Sequence, residues 1–97
     1  MTLEEYNQFC GALPQATHAI LWRGWHVWKI GGKVFVIGDI KEGQLTASFK
    51  VSPLSYDILK ELKGLRPAPY LASRGMKWIQ HYSDQGLSDE ELQAYLR

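Results

Sequence analysis

The 97-residue sequence contains one cysteine and has no apolar run long enough to cross a membrane. A single cysteine cannot form an internal disulfide, so the chain is not a disulfide-stabilised secreted domain. Charged residues interrupt every apolar stretch before the roughly 18 residues that a membrane span requires. The acidic, amphipathic start MTLEEYNQFC lacks the basic and apolar regions of a signal peptide. We therefore expect a cytoplasmic protein with no membrane partner.

The sequence also lacks the patterns that usually carry catalysis or bind cofactors. His18, His26 and His81 are widely separated, and no spacing would place two metal ligands on one helix face. Neither a GxSxG nucleophile elbow nor a GxGxxG loop occurs, and the GGK at 31–33 lacks the remaining residues of a phosphate-binding loop. Adjacent carboxylates occur only at predicted helix starts, where the helix dipole stabilises them. These absences predict a protein that is not an enzyme and has no cofactor or metal.

What the chain does contain is the composition of one small globular domain, with 45% hydrophobic and 22% charged residues. The formal net charge is only +1, but the two signs are separated along the sequence. Residues 1–17 hold two acidic side chains and no basic one, and residues 82–97 hold four acidic against one basic. Residues 18–81 hold ten basic side chains against four acidic ones. A basic middle between acidic ends fits either an anionic partner or ordinary solvated surfaces.

Helices are predicted at both ends of the chain and once in the middle. A capping box followed by apolar residues at helical spacing opens the first and the last helix. The middle helix begins at Ser52-Pro53, with a predicted apolar stripe of Leu54, Ile58, Leu59 and Leu62. No stop signal precedes Arg97, so we expect one domain over residues 1–97 that is cut within its C-terminal helix. The capping boxes are Thr2 with Glu5 and Ser88 with Glu91.

The segments between these helices predict strands. The Gly-Gly pair at 31–32 predicts a two-residue hairpin turn, with Lys29 opposite Val34 and Trp28 opposite Phe35. The stretches HAILW, LTASFKV and MKWIQHY predict three further strands, and RPAP predicts a stiff connector. The fold class expected is therefore α+β, an antiparallel sheet of about five strands with N-terminal, middle and C-terminal helices packed on it.

Tryptophan is the residue type that bears most on function. Trp28 and Trp78 lie in alternating strands and are predicted to be buried in the core. Trp22 and Trp25 flank a bend at residues 23–24, so at least one of them should be partly exposed. We identify Trp22 and Trp25 as candidates for stacking on bases or for lining a ligand groove.

Basic side chains near these aromatic residues form a candidate nucleic-acid surface. If the hairpin tip and the RPAP connector project the same way, they would make two basic wings that straddle a phosphate backbone. Binding through so few cations would be weak and would fall steeply with salt. The first group is Arg23, Lys29 and Lys33, and the second is Arg66, Arg74 and Lys77.

The order of these segments resembles the MmcQ/YjbR family of small bacterial proteins. The likeness rests on the N-terminal helix, KIGGKVF, LTASFKVSP leading into YDILKEL, RPAPYL and MKWI, and it covers nearly the whole chain. It implies a fold similar to frataxin/CyaY, and the family naming implies double-wing DNA binding. The frataxin likeness would also imply iron on an acidic first helix. Glu4 and Glu5 are the only acids there, however, so no metal site is expected.

Two functions from different classes remain open. The first is weak, non-enzymatic binding of double-stranded DNA, which one contiguous positive surface would support. The alternative is a protein- or small-ligand-binding module that uses an aromatic groove. A concave apolar pocket containing Trp22 or Trp25 would support this alternative. The oligomeric state is left open, with a monomer favoured.

Overall fold

The structure, a computed structural model, describes residues 1–21, 24–69, 71–83 and 85–96. No helix in these ranges is long and apolar enough to cross a membrane. The helices are α1 (Leu3–Gly11), α2 (Pro53–Leu59) and α3 (Asp89–Leu96), and Ala72–Arg74 forms a 3₁₀ turn. The strands are β1 (Ala16–Leu21), β2 (Trp25–Ile30), β3 (Lys33–Lys41), β4 (Gln44–Lys50), β5 (Leu65–Pro67) and β6 (Trp78–His81).

All strands belong to one antiparallel sheet in the order β1-β2-β3-β4-β6-β5. The predicted α+β class is confirmed, with six strands rather than about five. The additional strand is β5, which comes from the predicted RPAP connector. Its Arg66 pairs with Gln80 and its Pro67 with Ile79. Proline is tolerated there because β5 is an edge strand. Pro67 has no backbone N–H, but no strand lies on the outer side of β5 to accept a hydrogen bond from it.

The β2–β3 hairpin forms around Gly31 and Gly32, both with positive φ, as the Gly-Gly pair predicts. Lys29 lies opposite Val34 as expected, but Trp28 lies opposite Val36 and not opposite Phe35. The predicted Trp28–Phe35 pair is therefore wrong, because a β-bulge inserts Phe35 as an extra residue in β3. The bulge shifts the alternation of β3 and places Val36 within the buried core.

The predicted capping boxes are confirmed. Thr2 N donates to Glu5 Oε1 at 2.8 Å, and Glu5 N donates to Thr2 Oγ1 at 3.1 Å. Ser88 N donates to Glu91 Oε1 at 2.9 Å, and Glu91 N donates to Ser88 Oγ at 3.2 Å. Each box satisfies two backbone donors that the first turn of a helix would otherwise leave unpaired.

The main core lies between the three helices and one face of the sheet. Tyr6 of α1 packs against Gly38, and the Phe49 ring lies 5.8 Å from the Tyr95 ring of α3. Both predicted core tryptophans are confirmed, with Trp28 7% and Trp78 5% exposed. The buried residues of this core from the helices are Tyr6, Cys10, Leu59, Leu92 and Leu96, and those from the sheet include Trp28, Val36, Ala47, Phe49 and Ile79.

The predicted apolar stripe of the middle helix is wrong in most of its members. Only Leu59 is buried, while Leu54, Ile58 and Leu62 are 72%, 56% and 44% exposed. Helix α2 has just seven residues and packs mainly on β5 and β6 at the edge of the sheet. A helix of two turns against an edge can direct few of its side chains inward, so most of the stripe faces solvent.

Candidate nucleic-acid interface and open-face groove

One end of the sheet, beside the β2–β3 turn, collects lysines from four adjacent strands. Lys29 of β2 and Lys33 of β3 flank that turn. Lys50 ends β4 and lies opposite Trp78, and Lys77 immediately precedes β6. We call these four residues, Lys29, Lys33, Lys50 and Lys77, the basic rim. Since neighbouring strands are about 4.8 Å apart, the rim spans about 14 Å from β2 to β6.

The opposite end of the sheet carries most of the acidic side chains. The start of α1 lies beside the β3–β4 turn, where Leu3 and Glu4 share a cleft with Gly43. The start of α3 is close by, because the Met1 ammonium lies 3.1 Å from Asp89 Oδ1. The acidic starts of α1 and α3 thus meet at the end of the sheet opposite the basic rim. The acids at this end are Glu4, Glu5, Glu42, Asp89, Glu90 and Glu91.

Tyr56 of α2 positions one member of the basic rim. The Lys77 ammonium lies 4.7 Å from the centre of the Tyr56 ring, and the Lys60 ammonium lies 5.3 Å from it. Cation–π attraction of this kind holds an exposed ammonium weakly in place. Lys60 also forms an ion pair with Asp57 at 3.3 Å, so its charge is partly balanced and Lys77 is the more available cation.

The predicted basic residues are only partly brought together. Lys29, Lys33 and Lys77 lie on the rim, as does Lys50, which was not predicted because only the strand order places it beside them. Arg66 lies in the middle of β5, away from the rim, and Arg74 is exposed at the end of the 3₁₀ turn. The second predicted wing is therefore divided. Trp22 and Arg23 lie outside the described residues.

The sheet face turned away from the helices carries a groove of about 490 Å³. Because Gly38 and Phe49 face the helices, strand alternation places Ile37, Ser48 and their neighbours on this opposite, open face. Trp25 is half-buried at one wall, so a concave pocket with one of the two predicted tryptophans is present. We call this the open-face groove; its lining is Trp25, Ile37, Asp39, Lys41, Thr46, Ser48, Pro69, Leu71 and Gln80.

A single row of cross-strand pairs forms the floor of this groove and continues past it. Ile37 lies opposite Ser48, and Ser48 lies opposite Gln80. Gln80 in turn lies opposite Arg66, whose Nε donates to Gln80 Oε1 at 2.7 Å. The row runs from an apolar side chain through a hydroxyl and a carboxamide to a guanidinium, so the polarity of the floor rises steadily across the sheet.

Comparison with known proteins places the chain in a family. The YjbR family model matches residues 11–97, which is most of the sequence. The chain belongs to the YjbR family. The crystal structure of the Deinococcus radiodurans protein DR2400, family-model domain DUF419, has the same fold, with a TM-score of 0.84 and 23% sequence identity. That similarity covers 99% of this chain and 73% of the other, and no curated protein sequence matches.

The histidines of this YjbR-family chain have hydrogen-bond partners and do not form a larger ligand set. His18 Nε2 lies 3.1 Å from His26 Nδ1, and the His18 ring stacks on the Trp28 ring with centroids 4.5 Å apart. Partial desolvation, with a smaller contribution from the nearby His26, lowers the pKa of His18. His81 Nε2 accepts from Leu87 N at 3.1 Å. Within the described ranges, no three His, Cys, Asp or Glu residues are grouped to hold a metal ion.

The one cysteine of the YjbR domain is also structural. Cys10 is fully buried on the inner face of α1, and burial raises the pKa of its thiol to about 12. The thiolate, which is the reactive form, is therefore disfavoured at neutral pH. Cys10 acts as a small apolar side chain of the core, as its place between Tyr6 and Leu13 in the helical pattern predicts.

Proposed function

We propose that this YjbR-family domain binds the phosphate backbone of double-stranded DNA through the basic rim, without catalysing a reaction. The observation that supports this most is the convergence of Lys29, Lys33, Lys50 and Lys77 at four adjacent strand ends. Acidic side chains gather at the far end of the sheet, so the domain has a positive and a negative end. Such a charge distribution orients a protein toward a polyanion as it approaches.

The chemistry of the rim favours phosphates over base edges. Lysine ammonium groups act as point charges that attract phosphates, whereas specific reading of bases relies on planar, bidentate groups held in a groove. None of the four rim lysines is on a helix that could enter the major groove. The proposed binding is therefore independent of sequence, and Arg66 and Arg74 are not part of it because they lie off the rim.

Binding should depend steeply on salt. A protein that neutralises about four phosphates gives a slope of about −3.6 in a plot of log affinity against log salt concentration. We expect affinity for a fluorescent 20-base-pair duplex to fall roughly 100-fold between 50 and 200 mM NaCl, measured by fluorescence anisotropy. Absence of binding at 50 mM NaCl, or an affinity that does not change with salt, would contradict phosphate contact.

Lys33 and Lys41 provide a matched pair of variants, because they begin and end the same strand and both are exposed. Lys33→Gln removes one rim contact, so the salt slope should become shallower by about one. Lys41→Gln removes the same charge from the acidic end of the sheet and should leave the slope unchanged. Equal slopes for the two variants would show that net charge, and not the rim, accounts for binding. Thermal unfolding of both variants should match that of the parent protein.

A further inference from the structure

We propose that the open-face groove binds a small planar organic anion, an aromatic carboxylate, with its ring beside Trp25 and Ile37 and its carboxylate directed to Arg66. The groove is distinct from the basic rim, so this site is independent of DNA binding. Its volume of about 490 Å³ suits a ligand of one or two fused rings, since small-molecule sites span about 300–1,000 Å³.

Four residues of the groove lining are apolar: Trp25 of β2, Ile37 of β3, and Pro69 and Leu71 of the segment that follows β5. Trp25 and Pro69 offer flat ring surfaces, and Ile37 and Leu71 supply aliphatic contacts. Aromatic ligands bind such surfaces by burying apolar area and by offset stacking on an indole ring. This apolar lining therefore selects a flat, apolar ring.

Beside the groove, next to its lining residue Gln80, lies a guanidinium that is already held in position. Arg66 Nε donates to Gln80 Oε1 at 2.7 Å, and the guanidinium carbon lies 5.1 Å from the centre of the Tyr82 ring. These contacts use one N–H and one face of the group. No carboxylate in the described ranges forms an ion pair with Arg66. The planar guanidinium favours bidentate pairing with a carboxylate, so Arg66 is the group that would receive the carboxylate of a ligand.

The charges at the groove favour an anion over a cation. Lys41 lines it and Arg66 lies beside it, whereas Asp39 is the one carboxylate among its described lining residues. Asp39 Oδ1 already accepts a hydrogen bond from Ile40 N at 2.8 Å. From Ile37 on β3 to Gln80 on β6 is two strand spacings, about 10 Å. A bicyclic aromatic acid can extend over this span with its ring at Ile37 and its carboxylate near the Arg66–Gln80 pair.

The experiment titrates ¹⁵N-labelled protein with 2-naphthoate and, separately, with the neutral 2-naphthalenemethanol. We expect 2-naphthoate to shift the Trp25 indole signal and the Ser48 and Gln80 amide signals, and to bind at least five-fold more tightly than the alcohol. Arg66→Gln should weaken binding of the acid at least five-fold and leave that of the alcohol unchanged. Lys50→Gln, which removes a cation from the basic rim, should change neither.

Trp25→Leu provides a second variant, which should weaken both ligands once its amide spectrum shows that the fold is kept. Equal affinity for acid and alcohol would overturn the proposal, as would signal shifts confined to the basic rim or no binding up to the solubility limit. Arg66→Gln should leave the salt slope of duplex DNA binding unchanged. A failure of either site is thereby distinguishable from a failure of the other.

Discussion

Gly64→Ala is expected to lower the free energy of unfolding by about 2–6 kcal/mol. Gly64 has φ +84°, a conformation that costs a non-glycine residue about 1–3 kcal/mol. An added Cβ would also lie 2.6 Å from the Gly86 backbone nitrogen and 2.9 Å from its Cα. Backbone atoms cannot rotate away as a side chain can, so overpacking adds about 1–3 kcal/mol. Urea denaturation followed by circular dichroism measures the difference.

Gly75 is the matched control for this prediction. It has the same φ of +84°, but no atom lies within 4 Å of the position that a Cβ would take. Gly75→Ala therefore carries only the backbone cost, about 1–3 kcal/mol. If the two variants are equally stable, then Gly86 does not restrict residue 64, and the proposed close approach of the two chain segments is wrong.

The contact at Gly64 matters because it joins β5 to the end of β6. Tyr82 N donates to Gly64 O at 3.0 Å, directly after the last residue of β6. This junction sets the pairing of Arg66 with Gln80. A variant that displaces this junction should therefore also weaken binding of 2-naphthoate at the open-face groove. The lysines of the basic rim lie at the other end of the sheet, so the displacement should not reach them.

Gly38→Ala is expected to lower the free energy of unfolding by about 2–3 kcal/mol, through a different mechanism. The backbone of Gly38 does not have a positive φ, so no conformational cost arises. Its added Cβ would lie 2.7 Å from two ring carbons of Tyr6. Tyr6 is fully buried and its hydroxyl donates to His26 O at 2.8 Å, so the ring cannot move without losing that bond. Burial raises the pKa of Tyr6, which keeps the hydroxyl protonated as a donor.

A double-mutant cycle tests whether Tyr6 is the cause. Tyr6→Leu removes the ring and is itself destabilising, because it leaves part of the core unfilled. In the Tyr6→Leu background, however, Gly38→Ala should cost at least about 1 kcal/mol less than in the parent protein. Additive effects in urea denaturation would indicate that the strain at residue 38 comes from another neighbour. The coupling energy between Tyr6 and Gly38 thus measures how tightly α1 packs against β3.

Local features of this YjbR domain are predictable from sequence because they depend on neighbouring residues. The capping boxes of α1 and α3 form hydrogen bonds between residues three positions apart. The turn at Gly31 and Gly32 needs only two adjacent residues that can adopt a positive φ. The burial of Trp28 and Trp78 follows from strand alternation in the same way. The order of these segments also carries the family resemblance that the YjbR match confirms.

Other features depend on which distant segments meet. Phe35 is an extra residue in β3 because Trp28 and Val36 are paired in the sheet, and the hairpin turn alone does not encode that shift. The RPAP segment becomes β5 only because β6 is available as its partner. The exposure of Leu54 and Ile58 follows from the position of α2 at the sheet edge.

The sequence by itself determined the fold class, the helix starts, the hairpin and the separation of charge along the chain. Only the tertiary structure decided that Lys50 and Lys77 lie beside Lys29 and Lys33, and that Gln80 holds Arg66 next to a groove with Trp25. The physical reason is the sheet order, in which β4 is paired with β6 and β6 with β5. The β4–β6 pairing joins residues about 30 positions apart and the β5–β6 pairing joins residues 12 to 16 positions apart, and no local pattern specifies either.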